Sequence, residues 1–249
     1  MIYFFQRVYH LNLKYISYFA WYYGFYIIKR GPSYLIASLS LPLTLLFMVT
    51  ILSHGALISY ALIGGFVSII ASNCINGAAD AAFFRLQIKI QDLFVPTRIT
   101  PDDYMMGLTL SYLVFSLPGI ILYAILGIYF KIFTLDSILP IILVLIAVTV
   151  SVSNIAFIIA GVLKHIRNVW GITAVLSIVM TVLPPTFYPY TFLPKWILYI
   201  LSISPVTPAA VLLQGALGLE PVIWNMIYIL FLETMALMFL GRRFIRWRE

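Results

Sequence analysis

The chain has 249 residues, of which 63% are hydrophobic and 9% are charged, and its formal net charge is +7. Its mean hydropathy of +1.06 excludes an ordinary soluble globular protein and is typical of a polytopic membrane protein. The single cysteine, Cys74, excludes a disulfide within the chain and a cysteine-based metal site.

Aromatic side chains dominate the N-terminal segment, where they make up twelve of the first 26 residues. The apolar run Tyr15–Ile28 is too short to cross a bilayer, and Lys29, Arg30 and Pro32 end it. Tyrosine and tryptophan favour the headgroup level of a membrane. We therefore predict an interfacial helix within residues 1–30, lying along the cytoplasmic surface. A helix packed beneath the bundle is the alternative.

Six longer apolar segments follow. A bilayer core is about 30 Å thick, so a helix needs roughly 20 apolar residues to cross it. The candidate spans are Tyr34–Ser53, Leu57–Ala79, Leu108–Phe130, Ile138–Leu163, Gly171–Phe187 and Val222–Leu240. The predicted fold is an all-α polytopic membrane protein with six transmembrane helices, forming a single domain over residues 1–249.

Lysine and arginine are distributed unevenly between the two sides of these spans. Only Lys131 and Lys195 lie on one side. Thirteen lie on the other side: Arg7, Lys14, Lys29, Arg30, Arg85, Lys89, Arg98, Lys164, Arg167, Arg242, Arg243, Arg246 and Arg248. This bias predicts a multi-pass protein of the plasma membrane with both termini and the loop of residues 83–107 in the cytoplasm. It also explains the net charge without a nucleic-acid partner.

The loop of residues 83–107 is polar and contains the sequence Thr100-Pro101-Asp102-Asp103. Threonine is a good N-cap, proline is favoured at the first helical position, and acids in the first turn stabilise a helix through its dipole. We therefore interpret this sequence as a helix start. A metal-binding pair of aspartates is the alternative, and it explains Thr100 and Pro101 less well.

A second long connection, residues 188–221, separates the last two predicted spans on the outer side. It contains prolines at 189, 194, 205, 208 and 221 and two apolar pieces, Trp196–Ile203 and Ala209–Leu217. Each piece is too short to cross the bilayer, and such pieces are tolerated at membrane depth only when protein or a cavity surrounds them. We predict two short re-entrant helices.

Polar residues recur along the second predicted span. Gly64, Ser68, Ser72, Asn76 and Asp80 are spaced four residues apart. Small residues at this spacing let helices approach closely, and serine and asparagine can form hydrogen bonds across the contact. The pattern favours helix packing; alternatively, the stripe faces a central pathway that ends at Asp80.

Two further acidic residues, Glu233 and Asp80, are candidates for a chemical role. Glu233 lies deep in the last span, where a charge costs roughly 2.5–3.5 kcal/mol, so it indicates either a substrate or proton role or a buried structural hydrogen bond. Asn76 and Asp80 also have the N-x-x-x-D spacing of membrane polyprenyltransferases. Position 84 is Phe84, however, and no second acidic cluster follows to hold Mg²⁺ and a diphosphate.

The sequence contains no G-x-x-x-x-G-K-[ST] phosphate loop, so it has no nucleotide site of that kind. Its three histidines, His10, His54 and His165, lie far apart along the chain. We therefore expect no cofactor or metal site on this chain.

Three segments are informative when taken together. They are Asp92-Leu-Phe-Val with Ile99–Gly107, continued by Leu110-Ser111 and Pro118-Gly119; Phe187-Tyr-Pro189 with Leu193-Pro194 and Ser204–Pro208; and the ending Arg246-Trp-Arg-Glu249. In order and spacing they resemble the membrane subunits of ATP-binding-cassette (ABC) exporters of the type-2 permease family. The likeness covers nearly the whole chain.

The resemblance implies a half-transporter that is not itself an enzyme. Two permease chains, identical or different, would pair with two cytoplasmic ATPases that bind the ATP and Mg²⁺. A short helix within Arg85–Tyr104 would sit in a cleft of the ATPase, and the N-terminal helix would touch it as well. The implied coupling residues are Arg85, Lys89, Asp92, Arg98, Thr100, Asp102 and Asp103.

The expected function is the export of a hydrophobic or amphipathic cargo, such as a drug, lipid or peptide, between two permease copies surrounded by membrane lipids. Candidate path residues are Ser68, Ser72, Asn76, Asp80 and Glu233. The candidate outer gate contains Pro189, Pro194, Pro205 and Pro208. An integral-membrane lipid-modifying enzyme and an ATPase-independent scaffold or channel subunit are the alternatives.

Overall fold

The computed structural model of the protein describes residues 11–94 and 96–245, and all the regular elements there are helices. Arg7, the ending Arg246–Glu249 and the first ten residues of the predicted interfacial helix lie outside the described residues. The α-helices are α1 (Leu13–Ala20), α2 (Tyr26–Arg30), α3 (Pro32–Leu52), α4 (Ile58–Phe83), α5 (Ile90–Phe94), α6 (Pro101–Tyr129), α7 (Leu135–Val162), α8 (Ile166–Val182), α9 (Lys195–Leu201), α10 (Val206–Ala216) and α11 (Asn225–Phe244).

Helix α4 forms the centre of the bundle. In an apolar 18-residue stretch of α4 83% of the residues are buried, whereas the figure for such a stretch is 11% in α3 and 22% in α11. Its glycines explain how neighbouring helices come so close: a side chain at Gly65 would overlap the Tyr123 ring, and one at Gly77 would overlap the Tyr112 ring. The Tyr112 hydroxyl donates to the Gly77 carbonyl oxygen at 2.8 Å. The small residues of the second span therefore allow dense packing.

Among the residues that the structure describes, five helices are long and apolar enough to cross a membrane: α3, α4 with its continuation to Ile88, α6, α7 and α11. The fifth predicted span, Gly171–Phe187, corresponds to α8, which begins and ends five residues earlier and is only 17 residues long. At 1.5 Å per residue this helix measures about 25 Å. The all-helical membrane fold is confirmed, and the count of six spans stays a prediction.

The N-terminal helix lies along α6. Between α1 and α2 the chain continues as a π-helical turn, Trp21–Phe25, so the segment is helical from Leu13 to Arg30. A side chain at Gly24 would overlap the Ser111 carbonyl oxygen on α6. The opposite face exposes Tyr18 and Trp21. The segment is thus packed on one face and open on an aromatic face, and its place at the membrane surface stays a prediction.

The two apolar pieces of the 188–221 segment are short helices, as predicted. Helix α10 is buried from Val206 to Gly215, among α4, α7 and α11. Helix α9 buries only Leu198 and exposes Trp196 and Ile200. Helix α10 is therefore part of the core, and helix α9 lies on the surface of the bundle. The depth of both helices in a membrane stays a prediction.

Candidate functional site

The start of α6 has the cap that the sequence predicts. The Thr100 hydroxyl accepts a hydrogen bond from the Asp103 amide at 3.2 Å, and the Thr100 amide donates to the Asp103 carboxylate at 2.8 Å. The Thr100 hydroxyl donates to that carboxylate as well, at 2.8 Å. Pro101 is the first helical residue. The interpretation of this sequence as a helix start is confirmed.

Asp103 also joins two distant parts of the chain. Its side chain is fully buried, and its second carboxylate oxygen accepts a hydrogen bond from the Asn12 amide at 2.8 Å. The Asn12 side chain in turn caps α1 by accepting from the Tyr15 amide at 3.1 Å. One carboxylate therefore holds the starts of α1 and α6 together.

Arg85 is buried in the π-helical turn, Phe84–Ile88, that extends α4. Its guanidinium donates to the carbonyl oxygens of Gly161 at 3.1 Å and Leu163 at 2.6 Å. These carbonyls belong to the C-terminal end of α7, where the last carbonyls of a helix lack partners within it and favour a cation. Arg85 thus attaches the end of α4 to the end of α7.

Asp102 makes an ion pair with Arg242 near the end of α11, with 3.0 Å between nitrogen and oxygen. Both side chains keep solvent contact, so the pair contributes on the order of 1 kcal/mol or less. Beside it, a side chain at Gly161 would overlap the Phe244 carbonyl oxygen, so α7 and α11 touch backbone to backbone. We call this region, where the ends of α4, α7 and α11 meet the start of α6, the basic end.

The other predicted coupling residues are exposed at the basic end. Lys89 has a left-handed backbone, with φ of 53°, and it separates the π-helical turn from the five-residue helix α5. Lys89, Asp92 on α5 and Arg98 after it are all exposed. The predicted coupling residues therefore include two that are buried and connect helix ends, Arg85 and Asp103. They also include exposed charges that a partner can contact: Lys89, Asp92 and Arg98.

A cavity of about 850 Å³ lies beside the last turns of α4. We call it the α4 cavity. Its walls come from the N-terminal helical segment, α3, α4, α6 and α8, and they include Asn76 and Asp80 from the predicted stripe. Ser68 and Ser72 are buried elsewhere and donate hydrogen bonds to carbonyl oxygens of their own helix. The stripe is thus packing in its first half and cavity lining in its second.

The Asp80 carboxylate interacts with the Tyr23 hydroxyl of the N-terminal segment. Burial raises the pKa of Tyr23 well above its ordinary value, and the neighbouring Asp80 raises it further. The hydroxyl therefore stays protonated and neutral beside Asp80. Tyr23 was not among the predicted site residues, because 57 residues separate it from Asp80 along the chain (80 − 23).

Glu233 lies on α11, which contributes nothing to the α4 cavity. Its side chain is half-buried, and one carboxylate oxygen has no hydrogen-bond partner among the described residues. The adjacent Thr234 shares a 2.8 Å hydrogen bond with Ser151 on α7. The structure does not bring Glu233 together with Asp80 in one site.

The predicted outer gate is organised by a residue that sequence reasoning missed. Gln214 on α10 is fully buried. Its amide nitrogen donates to the carbonyl oxygens of Pro185 at 2.7 Å and Tyr188 at 3.0 Å, and its oxygen accepts from the Tyr190 amide at 3.1 Å. A glutamine within an otherwise apolar run was the available signal, since a buried amide needs partners.

The four predicted gate prolines start or interrupt elements around Gln214. Pro189 precedes a 3₁₀ turn, Tyr190–Phe192, while Pro194 and Pro205 immediately precede α9 and α10. Pro208 is buried within the first turns of α10. Proline favours these positions because it lacks an amide hydrogen and has a fixed φ.

Comparison with known families favours transport over enzyme chemistry. The family model for the ABC-2 type transporter matches residues 18–218. The chain belongs to the ABC-2 type transporter family. The match runs from the N-terminal helix to the end of α10, so it includes the loop of residues 83–107, the α4 cavity and the Gln214 network. The family consists of transport membrane subunits that are not themselves catalytic. No curated protein matches the chain.

Proposed function

We propose that this chain is the transmembrane subunit of an ABC exporter that couples to separate cytoplasmic ATPase subunits. In this proposal ATP and Mg²⁺ bind the ATPases, two permease copies form the path, and both termini and the basic end face the cytoplasm. The cargo is hydrophobic or amphipathic. The proposal rests on the family membership, the apolar helices and the uneven distribution of basic residues.

The coupling step is inferred from one observation: the loop of residues 83–107 contains exposed charged residues as well as buried residues that hold helix ends together. Lys89 and Asp92 are open to a partner, whereas Arg85 is fixed to the end of α7 and Asp103 to the start of α1. A force applied to α5 is therefore passed to α4, α6 and α7 together. Since α4 also lines the cavity, movement of the loop changes the shape of the cavity.

The outer segment supports a gate in the same way. The Gln214 amide ties α10 to the chain before α9, so the segment moves as one piece. Tyr60 on α4 donates a 3.0 Å hydrogen bond to Glu220, which also accepts from Thr191 at 3.1 Å. These contacts connect the start of α4 to the proposed gate, while its other end reaches the proposed coupling loop.

The test is to purify the tagged chain from its native membrane and to identify its stoichiometric partners. We expect a cassette ATPase whose hydrolysis responds to a panel of drugs, lipids and peptides. The variants Lys89→Glu and Asp92→Lys should lower cargo-stimulated hydrolysis at least about threefold, because like charges would then oppose the partner surface. Matched controls are Lys195→Glu and Asp136→Lys, which are also exposed but lie away from α5.

Two results would contradict the proposal. The first is the absence of any cassette ATPase among the stoichiometric partners, which would favour a scaffold or channel subunit. The second is conversion of a lipid by the purified chain alone, which would favour the lipid-modifying enzyme. Asp103 is a poor probe of coupling, because its buried carboxylate holds the fold together.

A further inference from the structure

The lining of the α4 cavity that the structure describes carries a single charge. Its volume of about 850 Å³ lies within the range of small-molecule sites. Among the described residues that line it, Asp80 is the one charged side chain. The neutral polar groups of the lining are Ser38, Asn73, Asn76, Ser111 and Thr173, together with tyrosine hydroxyls. The cavity thus offers one negative charge and no basic group from its own lining.

The nearest basic residue along α4 is directed elsewhere. Arg85 follows Asp80 by about one and a half turns, but its guanidinium donates to the α7 carbonyl oxygens of Gly161 and Leu163. The Tyr23 hydroxyl beside Asp80 brings no positive charge. Asp80 is half-buried, and a carboxylate that has lost part of its water is costly unless it is paired. A cation supplied from outside the chain would complete this site.

Aromatic rings set the kind of cation that fits. Tyr23, Tyr34, Phe115 and Trp170 line the cavity, and Tyr34 and Trp170 are exposed at 69% and 62%. Aromatic faces attract cations, most strongly those that shed their water easily. A hard metal ion instead needs several oxygen ligands, whereas the lining offers a single carboxylate. The chemistry therefore favours an organic cation with apolar substituents.

We propose that the α4 cavity binds a monovalent organic cation, such as a substituted ammonium or phosphonium, with Asp80 as its counter-charge and aromatic rings around its apolar groups. This deepens the proposed function, on which it rests, by giving the amphipathic cargo a positive charge. Asn76 lies one turn from Asp80 on the same face of α4, so it contributes a neutral polar contact beside the charge.

The test uses a size-matched pair of probes, tetraphenylphosphonium and tetraphenylborate, on the purified full chain with whatever partners it retains, in lipid nanodiscs. Binding is followed by tryptophan fluorescence, and the part of the signal that Trp170→Phe removes reports the cavity. We expect saturable phosphonium binding and at least about tenfold weaker borate binding. Asp80→Asn should weaken phosphonium binding about tenfold or more, and the control Asp136→Asn should leave it within about twofold. Equal binding of both probes, or unchanged binding in Asp80→Asn, would overturn the proposal.

A second variant guards against misfolding of Asp80→Asn. Asn76→Asp adds a second negative charge to the same wall, so it should tighten phosphonium binding, and unchanged or weaker binding contradicts the proposal. The measurement needs no ATP. If phosphonium binds but no ATPase is a partner, the proposed function fails and the site stands. If a partner ATPase responds only to neutral compounds and phosphonium does not bind, the cation site fails alone.

Discussion

Replacement of Asp103 by alanine tests how firmly the loop of residues 83–107 is held to the N-terminal helix. The wild-type carboxylate accepts hydrogen bonds from the Asn12 amide, the Thr100 amide and the Thr100 hydroxyl, each at 2.8 Å. A hydrogen bond to a charged group contributes about 1.5–3 kcal/mol. Water can replace some of these contacts, because Asn12 and Thr100 are only half-buried. We therefore expect a loss of about 3 kcal/mol in the free energy of unfolding.

The chain carries its own reporter for this measurement. Cys74 is its single cysteine and is buried in α4, so a thiol-reactive dye labels it only when the bundle opens. For a chain of this length a loss of 3 kcal/mol lowers the melting temperature by about 6–12 °C. Asp136→Ala is the matched control, because Asp136 is an exposed acid in the first turn of α7. It should change melting by about 2 °C or less.

A local readout distinguishes the proposed tie from a general loss of packing. In Asp103→Ala, amide hydrogen exchange should rise first in α1, because the start of that helix loses its contact with α6. Asp103→Asn keeps the shape of the side chain and one acceptor, so its melting temperature should fall between those of wild type and Asp103→Ala. Melting within about 2 °C of wild type for Asp103→Ala, with unchanged exchange in α1, would refute this reasoning.

Three further substitutions test a close helix contact and a hydrogen-bond network with the same thiol assay. Gly161→Ala should lower the melting temperature by several degrees, because the new Cβ would overlap the Phe244 carbonyl oxygen. Its control is Gly171→Ala, where a Cβ meets nothing within 4 Å. This control should raise the melting temperature slightly, because alanine favours a helix more than glycine does. Equal shifts for the two glycines would contradict the close contact of α7 and α11. Gln214→Leu should lower the free energy of unfolding by about 2–4 kcal/mol, because it leaves the Tyr190 amide and two carbonyl oxygens without their partner. A melting temperature equal to that of wild type would show that water replaces the glutamine.

Local features of the site could be predicted from the sequence, while contacts between distant residues could not. The cap formed by Thr100 and Asp103 depends on residues three positions apart, so spacing was sufficient to predict it. The third hydrogen bond of Asp103 comes from Asn12, which is 91 residues away in the sequence. No periodicity within α6 indicates that partner. For the same reason the sequence did not indicate that Arg85 points inwards to α7.

The stripe on α4 illustrates a second limit. Spacing of four correctly places Ser68, Ser72, Asn76 and Asp80 on one side of the helix. The spacing does not indicate what each residue faces. In the structure Ser68 and Ser72 face packed protein, whereas Asn76 and Asp80 face the cavity. The boundary of α8 is different, because Pro184-Pro185 follows its end at Val182. Proline disfavours a helix at and before its position. The end of α8 could therefore have been predicted from the two prolines, whereas hydropathy alone extended the predicted span to Phe187.

Charge in the loop of residues 83–107 has two separate physical roles. Asp103 and Arg85 are buried, and each satisfies backbone groups at helix ends, where an oppositely signed charge is most stabilising. Lys89 and Asp92 are exposed and satisfy no such group in the described structure. A substitution at a buried site therefore changes the fold and the coupling together, whereas an exposed charge can be reversed at little cost to the fold. Substitutions on α5 therefore test the coupling proposal. Substitutions of Arg85 and Asp103, the two buried residues on either side of α5, test the stability of the bundle.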